Sequence, residues 1–352
     1  MLPTHCIDEP KHMHHEGEEA MKSIEKSTTR REFVKDAALG VAGIGILGSL
    51  GARTSSAQET KHGHLIKKIS YRKDGWKTVG PGNNDYIWWP KGKELEDKPV
   101  NFSFGYYTRI GDWHTKETGG HYHPDGDEVL IYVGLDPNNP EYLGAECEHD
   151  CGKEYEKHVF RVPTACCFPR NVVHCPQLTL KCDKAFGFIV LSLEPDHKTV
   201  SMPQRSTLDT TEGHKYDHLY RKLAFQKGIA AKTGPGNADS LAWLRSKDLE
   251  NYNVNFAYGF YSRTGDWGAK PHKHASDQFL VFVGLDNQKP DYLGAEVEVS
   301  LENEKHVVST PSCVIVPAGL QHGPIITKNV DKPYVFYMIR LDKGDASEIN
   351  PA

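Results

Sequence analysis

Residues 100–134 read VNFSFGYYTRIGDWHTKETGGHYHPDGDEVLIYVG, and residues 254–284 read VNFAYGFYSRTGDWGAKPHKHASDQFLVFVG. The two are versions of one pattern. Each closes on a short β-branched and aromatic run that ends at glycine: Val129-Leu130-Ile131-Tyr132-Val133 before Gly134, and Phe279-Leu280-Val281-Phe282-Val283 before Gly284. Runs of this length and composition predict strands. Working outward, the match continues. Gly80-Pro81-Gly82-Asn83 returns as Gly234-Pro235-Gly236-Asn237, and Tyr142-Leu143-Gly144-Ala145-Glu146 as Tyr292-Leu293-Gly294-Ala295-Glu296. Lys157-His158-Val159 returns as Lys305-His306-Val307. A repeat of ~150 residues is too long for a solenoid unit and signals duplication of a whole domain. Turn residues cluster between the strands, and short helices are expected near 214–228 and 240–250. The expectation is an all-β chain in which each copy closes into a sandwich or barrel. The segments are 1–57, a leader, then 58–200 and 201–352.

Each copy also carries potential metal ligands. On a strand, residues two apart share a face, so His121 and His123 can reach one ion from the same wall. Glu128 follows a Pro-Asp-Gly turn at the start of the next strand, and His174 comes after Pro169-Arg170-Asn171. The second copy supplies His272, His274, Gln278 and His322, with Pro317-Ala318-Gly319 as its turn. Gly319 and Asn171 are the residue types that best tolerate a left-handed turn position.

This order of ligands closely resembles the two motifs of the cupin superfamily, over residues 75–345, and two copies resemble a bicupin. The resemblance implies two tandem jelly-roll barrels. It also implies up to two divalent transition ions (Fe, Mn, Ni or Cu), held by His121, His123, Glu128 and His174 and by His272, His274, Gln278 and His322. Gln278 departs from the family pattern. Three neutral imidazoles and a carboxylate bring a divalent ion to about +1, whereas an amide leaves it near +2. Firmer retention and any general-base chemistry are therefore expected in the first copy. Asp277 could substitute for Gln278 only if that strand were shifted, because alternation points it the other way.

An exported metal-dependent oxidoreductase of the dioxygenase type, acting on a small phenolic or enolic substrate, is the leading expectation. Glu128 would then act as ligand or general base. One alternative is a lyase or decarboxylase for a small carboxylic acid, although Gly119-Gly120 stands where oxalate-type bicupins carry an arginine. Another is a non-catalytic cupin that binds metal or ligand.

A net charge of −5 and a pI near 6.4 leave no basic footprint for nucleic acid. Thr29-Arg30-Arg31-Glu32-Phe33-Val34-Lys35, the apolar run from Ala37 to Ala52 and Ser55-Ser56-Ala57 resemble a twin-arginine export signal. Export machinery would then be a partner and the periplasm or exterior the destination, with a membrane tether if the signal stays uncleaved. Self-association into a homo-oligomer is left open. Folding before export would also let a weak-binding ion be chosen in the cytoplasm. Past the leader lie seven cysteines, six in the first copy (Cys147, Cys151, Cys166, Cys167, Cys175, Cys182) and Cys313 in the second. Cys147 and Cys151 are a plausible local disulfide pair, although six cysteines allow about 15 connectivities and free thiols are the other reading, with a soft metal site at Cys147-x-His149-x-Cys151 as the lesser alternative. Cys166 and Cys167 align with Val314 and Ile315, so strand packing is the plain reading; adjacent residues point to opposite faces, which leaves one barrel-facing thiol as an alternative. Arg109-x2-Asp112-Trp113 and Arg263-x2-Asp266-Trp267 suggest a structural ion pair beside a packing tryptophan. His114 and His158 have no motif role and are expected at the surface or behind the ligands.

Overall fold

The computed structural model describes residues 60–73, 82–113, 119–203, 210–227, 236–268, 270–344 and 350–351. The twin-arginine pattern, His114 and the Gly-Pro pairs at 80–81 and 234–235 lie outside them. The described chain is all-β, with four antiparallel sheets.

In the first half a large sheet runs in the order Tyr220–Lys222, Thr164–Phe168, Glu128–Gly134, Phe186–Ser192, Phe104–Tyr107, Tyr86–Trp88, Arg72–Lys73. A smaller sheet runs Glu156–Phe160, Ala145–Cys151, His174–Cys182, His121–Tyr122, Val200–Ser201. The second half repeats the plan. Its large sheet is centred on Gln278–Gly284, and its small sheet on Ala295–Leu301 and His322–Val330.

Every residue of Glu128–Gly134 and of Gln278–Gly284 is buried. Alternation explains this. Leu130 and Tyr132 point into the first barrel's own core, while Val129, Ile131 and Val133 join the core shared with the second barrel. The large sheets thus pack back to back, Phe102 meeting Phe279 edge-on at 5.2 Å. Tyr106 donates to the Gly284 carbonyl at 2.8 Å and Tyr258 to the Gly134 carbonyl at 3.1 Å, a reciprocal pair across the interface. Glycine ends both strands for a steric reason. A Cβ at either position would sit 2.1 Å from a carbonyl oxygen, that of Tyr142 or of Tyr292.

The halves also exchange arms. Ile66–Lys68, which precedes the first barrel, pairs with Ser312–Val316 of the second. Tyr220–Lys222, which precedes the second, pairs with Thr164–Phe168 of the first. Glu304 accepts from the backbone N–H groups of Lys61 and His62, as Glu156 does from those of Lys215 and Tyr216.

Several expectations need correction. Among the described residues, the stretches 214–227 and 240–250 hold only three-residue 3-10 turns, Asp217–Leu219 and Ser246–Asp248, beside short strands. Cys147 and Cys151 are free and buried. Four residues apart on one strand (Ala145–Cys151), they stand roughly 13 Å apart, beyond disulfide reach. The ion pairs of Arg109 and Arg263 go to Asp85 (3.2 Å) and Asp239 (3.0 Å), not to the aspartates of their own motif. Trp113 and Trp267 do pack in the cores, each donating its indole N–H to a threonine, Thr179 or Thr327. Cys166 faces the first barrel's core and Cys167 the shared core, as alternation requires.

Candidate metal centres

In the first barrel, strand pairing brings His121 opposite His174, and His123 projects from the turn that follows. The potential ligand atoms of these histidines lie within 4.8 Å of one another. Glu128, at the head of its strand, closes the set, with Oε2 3.3 Å from His123 Nε2 and 3.1 Å from His174 Nε2. The backbone fixes which ring nitrogen faces inward. Nδ1 of His123 lies 2.7 Å from the Lys198 carbonyl, and Nδ1 of His174 lies 3.1 Å from that of Val172. A carbonyl can only accept, so Nδ1 carries a proton and Nε2 is the nitrogen turned toward the other imidazoles, able to bind an ion once its own proton has left. Nε2 of His123 and of His174 is buried without a hydrogen-bond partner. Orphaned ring nitrogens aimed at one point, beside a carboxylate, fit a divalent cation.

The second barrel repeats the frame. His272 sits opposite His322, and His272, His274 and His322 again place their ligand atoms within 4.8 Å. Nδ1 of His272 faces the Lys270 carbonyl at 2.8 Å, and Nδ1 of His322 faces that of Leu320 at 3.2 Å. Gln278 occupies the place of Glu128, 5 % exposed, with its amide oxygen buried and unpartnered. Asp277 points away, pairing with Lys98 at 2.8 Å and accepting from the Ala318 N–H.

No protein-family model and no curated protein matches this sequence. Solved structures do. One variant of Bacillus subtilis oxalate decarboxylase superposes with a TM-score of 0.51 at 9% identity, covering 79% of this chain and 76% of that one. A second variant superposes at 0.50 and 10%, covering 77% and 76%. A structure from work on the Mn(II) centres of the same enzyme gives 0.50 and 10%, covering 78% and 76%. The chain has the bicupin fold. At such identity the likeness concerns the fold alone.

Within this fold the two candidate centres differ in charge. Burial opposes ionisation of Glu128, but the His123 and His174 imidazoles beside it hold its carboxyl well below the usual range. Burial likewise depresses His123, yet the Glu128 carboxylate 3.3 Å away wins and holds it up at about 9. In the second barrel burial wins. His274 falls to about 4 through burial and the nearby Arg340 guanidinium, and His322 falls to about 3 through burial and His272. Arg340 is 3 % exposed and pairs across the sheet with Gln278, where the first barrel has Ser192 across from Glu128.

Sequence reading missed four residues at the first centre. His197, on the turn after Phe186–Ser192, sets Nδ1 3.4 Å from Glu128 Oε1 and forms a second candidate ligand group with His123 and Glu128. Glu194 Oε1 lies 3.9 Å from His123 Nδ1. Trp89 meets His197 edge-on at 4.6 Å, and Lys91 Nζ lies 3.4 Å from the centroid of the Trp89 ring. His197 alone has no like residue in the second copy; Trp89 and Lys91 recur as Trp243 and Arg245, and Glu194 as Asp342, but nothing in the sequence aimed these positions at the imidazoles. His158 belongs to a separate cluster with Glu156 and Asp217 and stacks on Tyr220 at 4.0 Å. His149 turns toward Cys175 Sγ, at 3.6 Å, so the Cys147-x-His149-x-Cys151 triplet does not converge as a metal site.

Proposed function

We propose that the first barrel is a divalent-metal centre that decarboxylates a small carboxylic acid, and that the second barrel is a weaker metal site. The observation that carries the reading is the convergence of two orphaned imidazole Nε2 atoms and Glu128 Oε2 on one point, in a fold shared with oxalate decarboxylase. His121, His123, His174 and Glu128 would hold the ion, which when bound supplies a Lewis acid for a carboxylate oxygen. Manganese is the first ion to test, because the neighbouring enzyme has Mn(II) centres.

The remaining chemistry belongs to the protein. Loss of carbon dioxide leaves an electron pair on carbon, and one proton must replace the departing group. Glu128, held as a carboxylate, and His197, kept neutral by burial, lie 3.4 Å apart and can pass that proton on to the substrate rather than store it. The buried, apolar surroundings strengthen each charge interaction at the site. The dioxygenase expectation finds no support in the structural neighbours. Metal-loaded protein offered a panel of small carboxylates should release carbon dioxide without stoichiometric oxygen uptake. Oxygen uptake with phenolic or enolic substrates, and no carbon dioxide from the panel, would reverse the assignment. Export to the periplasm or exterior by the twin-arginine route is proposed from the leader sequence alone.

A further inference from the structure

Lys91 is a half-buried cation whose place in the first barrel no ion pair explains. Its ammonium rests on the Trp89 face at 3.4 Å, and Trp89 in turn abuts His197, which abuts Glu128. Among the described residues no carboxylate lies within ion-pair distance of it, although the fields of Glu128 and Glu194 reach it and Arg72 opposes them. An indole face compensates a desolvated ammonium less well than a carboxylate does. Burial accordingly prevails and takes Lys91 down to about 7. The second barrel puts Arg245 at the place of Lys91, each residue at the N-cap of a short 3-10 turn, and its further buried cation, Arg340, has a carboxylate partner, Nε being held by Asp342 at 2.8 Å.

We infer that Lys91 is the anchor for the anionic end of the first barrel's ligand, holding a small carboxylate against the Trp89 and His197 wall while the ligand's other end faces the imidazole set. This rests on, and deepens, the reading of the first barrel as a carboxylate site. The ligand supplies the counter-charge that the fold omits. Glu128 faces the same wall, so a neutral ligand would leave the ammonium uncompensated, and one with a carboxylate at each end fits both poles.

The test is calorimetric titration of the metal-loaded full chain with oxalate, using its neutral diamide as control. Lys91→Met should weaken oxalate binding roughly 10- to 100-fold with metal content unchanged, the loss expected for one charge-assisted hydrogen bond. Lys91→Arg should restore most of that affinity, and the diamide should bind equally poorly to every variant. Unchanged oxalate affinity in Lys91→Met, a Lys91→Arg protein as weak as Lys91→Met, or no oxalate binding by the wild type would overturn the anchor. The two readings can fail separately. Lys91-dependent binding without carbon dioxide release keeps the anchor and removes the decarboxylase, whereas release with a wild-type KM in Lys91→Met does the reverse.

Discussion

The two barrels share a backbone plan and differ in what lines it. In the first, Tyr132 lies 3.3 Å from His149 Nδ1 and accepts from Gln177 at 2.7 Å, and His149 reaches Cys175. In the second, the corresponding positions are Phe282, Val299, Ile325 and Gly323, and the strand pairing His149–Gln177 becomes Val299–Ile325. Burying polar groups costs free energy unless each is hydrogen-bonded, so a polar ladder beneath one candidate metal site and none beneath the other sets the two barrels apart. The same contrast holds at the ligands, where Glu128 with Ser192 faces Gln278 with Arg340. Duplication supplied two frames; charge and polarity distinguish them.

The comparison can be broken at its strongest point first. His174→Ala removes one of the converging imidazoles and should lower metal affinity of the first barrel by roughly 100-fold or more. Elemental analysis of a Gln278-unaltered chain will show whether the second barrel's metal content is untouched. Glu128→Gln makes the first ligand set a copy of the second. It should weaken retention by roughly 10- to 100-fold and abolish most turnover, while the reciprocal Gln278→Glu should strengthen the second site. If the exchange of side chains leaves both affinities alone, the carboxylate is not what separates the barrels.

Proton release sharpens the same contrast. Before metal binds, His123 keeps its proton up to about pH 9, so at pH 7 to 8 metal uptake must expel it. Affinity of the first barrel therefore rises with pH across that range. His274 and His322 titrate near 4 and 3, are already neutral at pH 7, and should release nothing. Metal titration in weakly buffered solution, on variants with one barrel disabled, measures both. The smallest expected effect concerns stability. Tyr132→Phe removes the acceptor for Gln177 and should cost about 1–3 kcal/mol in denaturant unfolding. Phe282→Tyr buries a hydroxyl against the aligned apolar wall and should cost a similar amount.

How much of this was legible beforehand follows from what repeats. The ligand residues announced themselves because His-x-His, the acid or amide and the later histidine occur twice in one order, and strand alternation correctly turned Asp277 away. The strand runs were readable as strands, but full burial of both faces depends on the sheets packing back to back, which no local pattern encodes. The arm exchange left a trace in His62-Gly63-His64-Leu65 against Tyr216-Asp217-His218-Leu219, yet pairing partners cannot be read from a repeat. His197 and Arg340 escaped because each occurs in one copy only; Lys91, matched by Arg245, escaped because a charged residue at the end of an apolar run reads as a surface residue. The Cys147–Cys151 bridge failed on geometry, since the intervening residues turned out to be extended strand.

The central claim is that the first barrel's imidazoles and Glu128 form a metal centre. Its most direct test is the metal content of the dialysed full chain and of its His121→Ala/His123→Ala variant, measured by elemental analysis after loading with manganese. The account predicts about one firmly held ion per chain, carried by the set with the carboxylate, and its loss in the double variant with the fold intact by circular dichroism. An ion retained equally by the variant, or none held by the wild type, would contradict it.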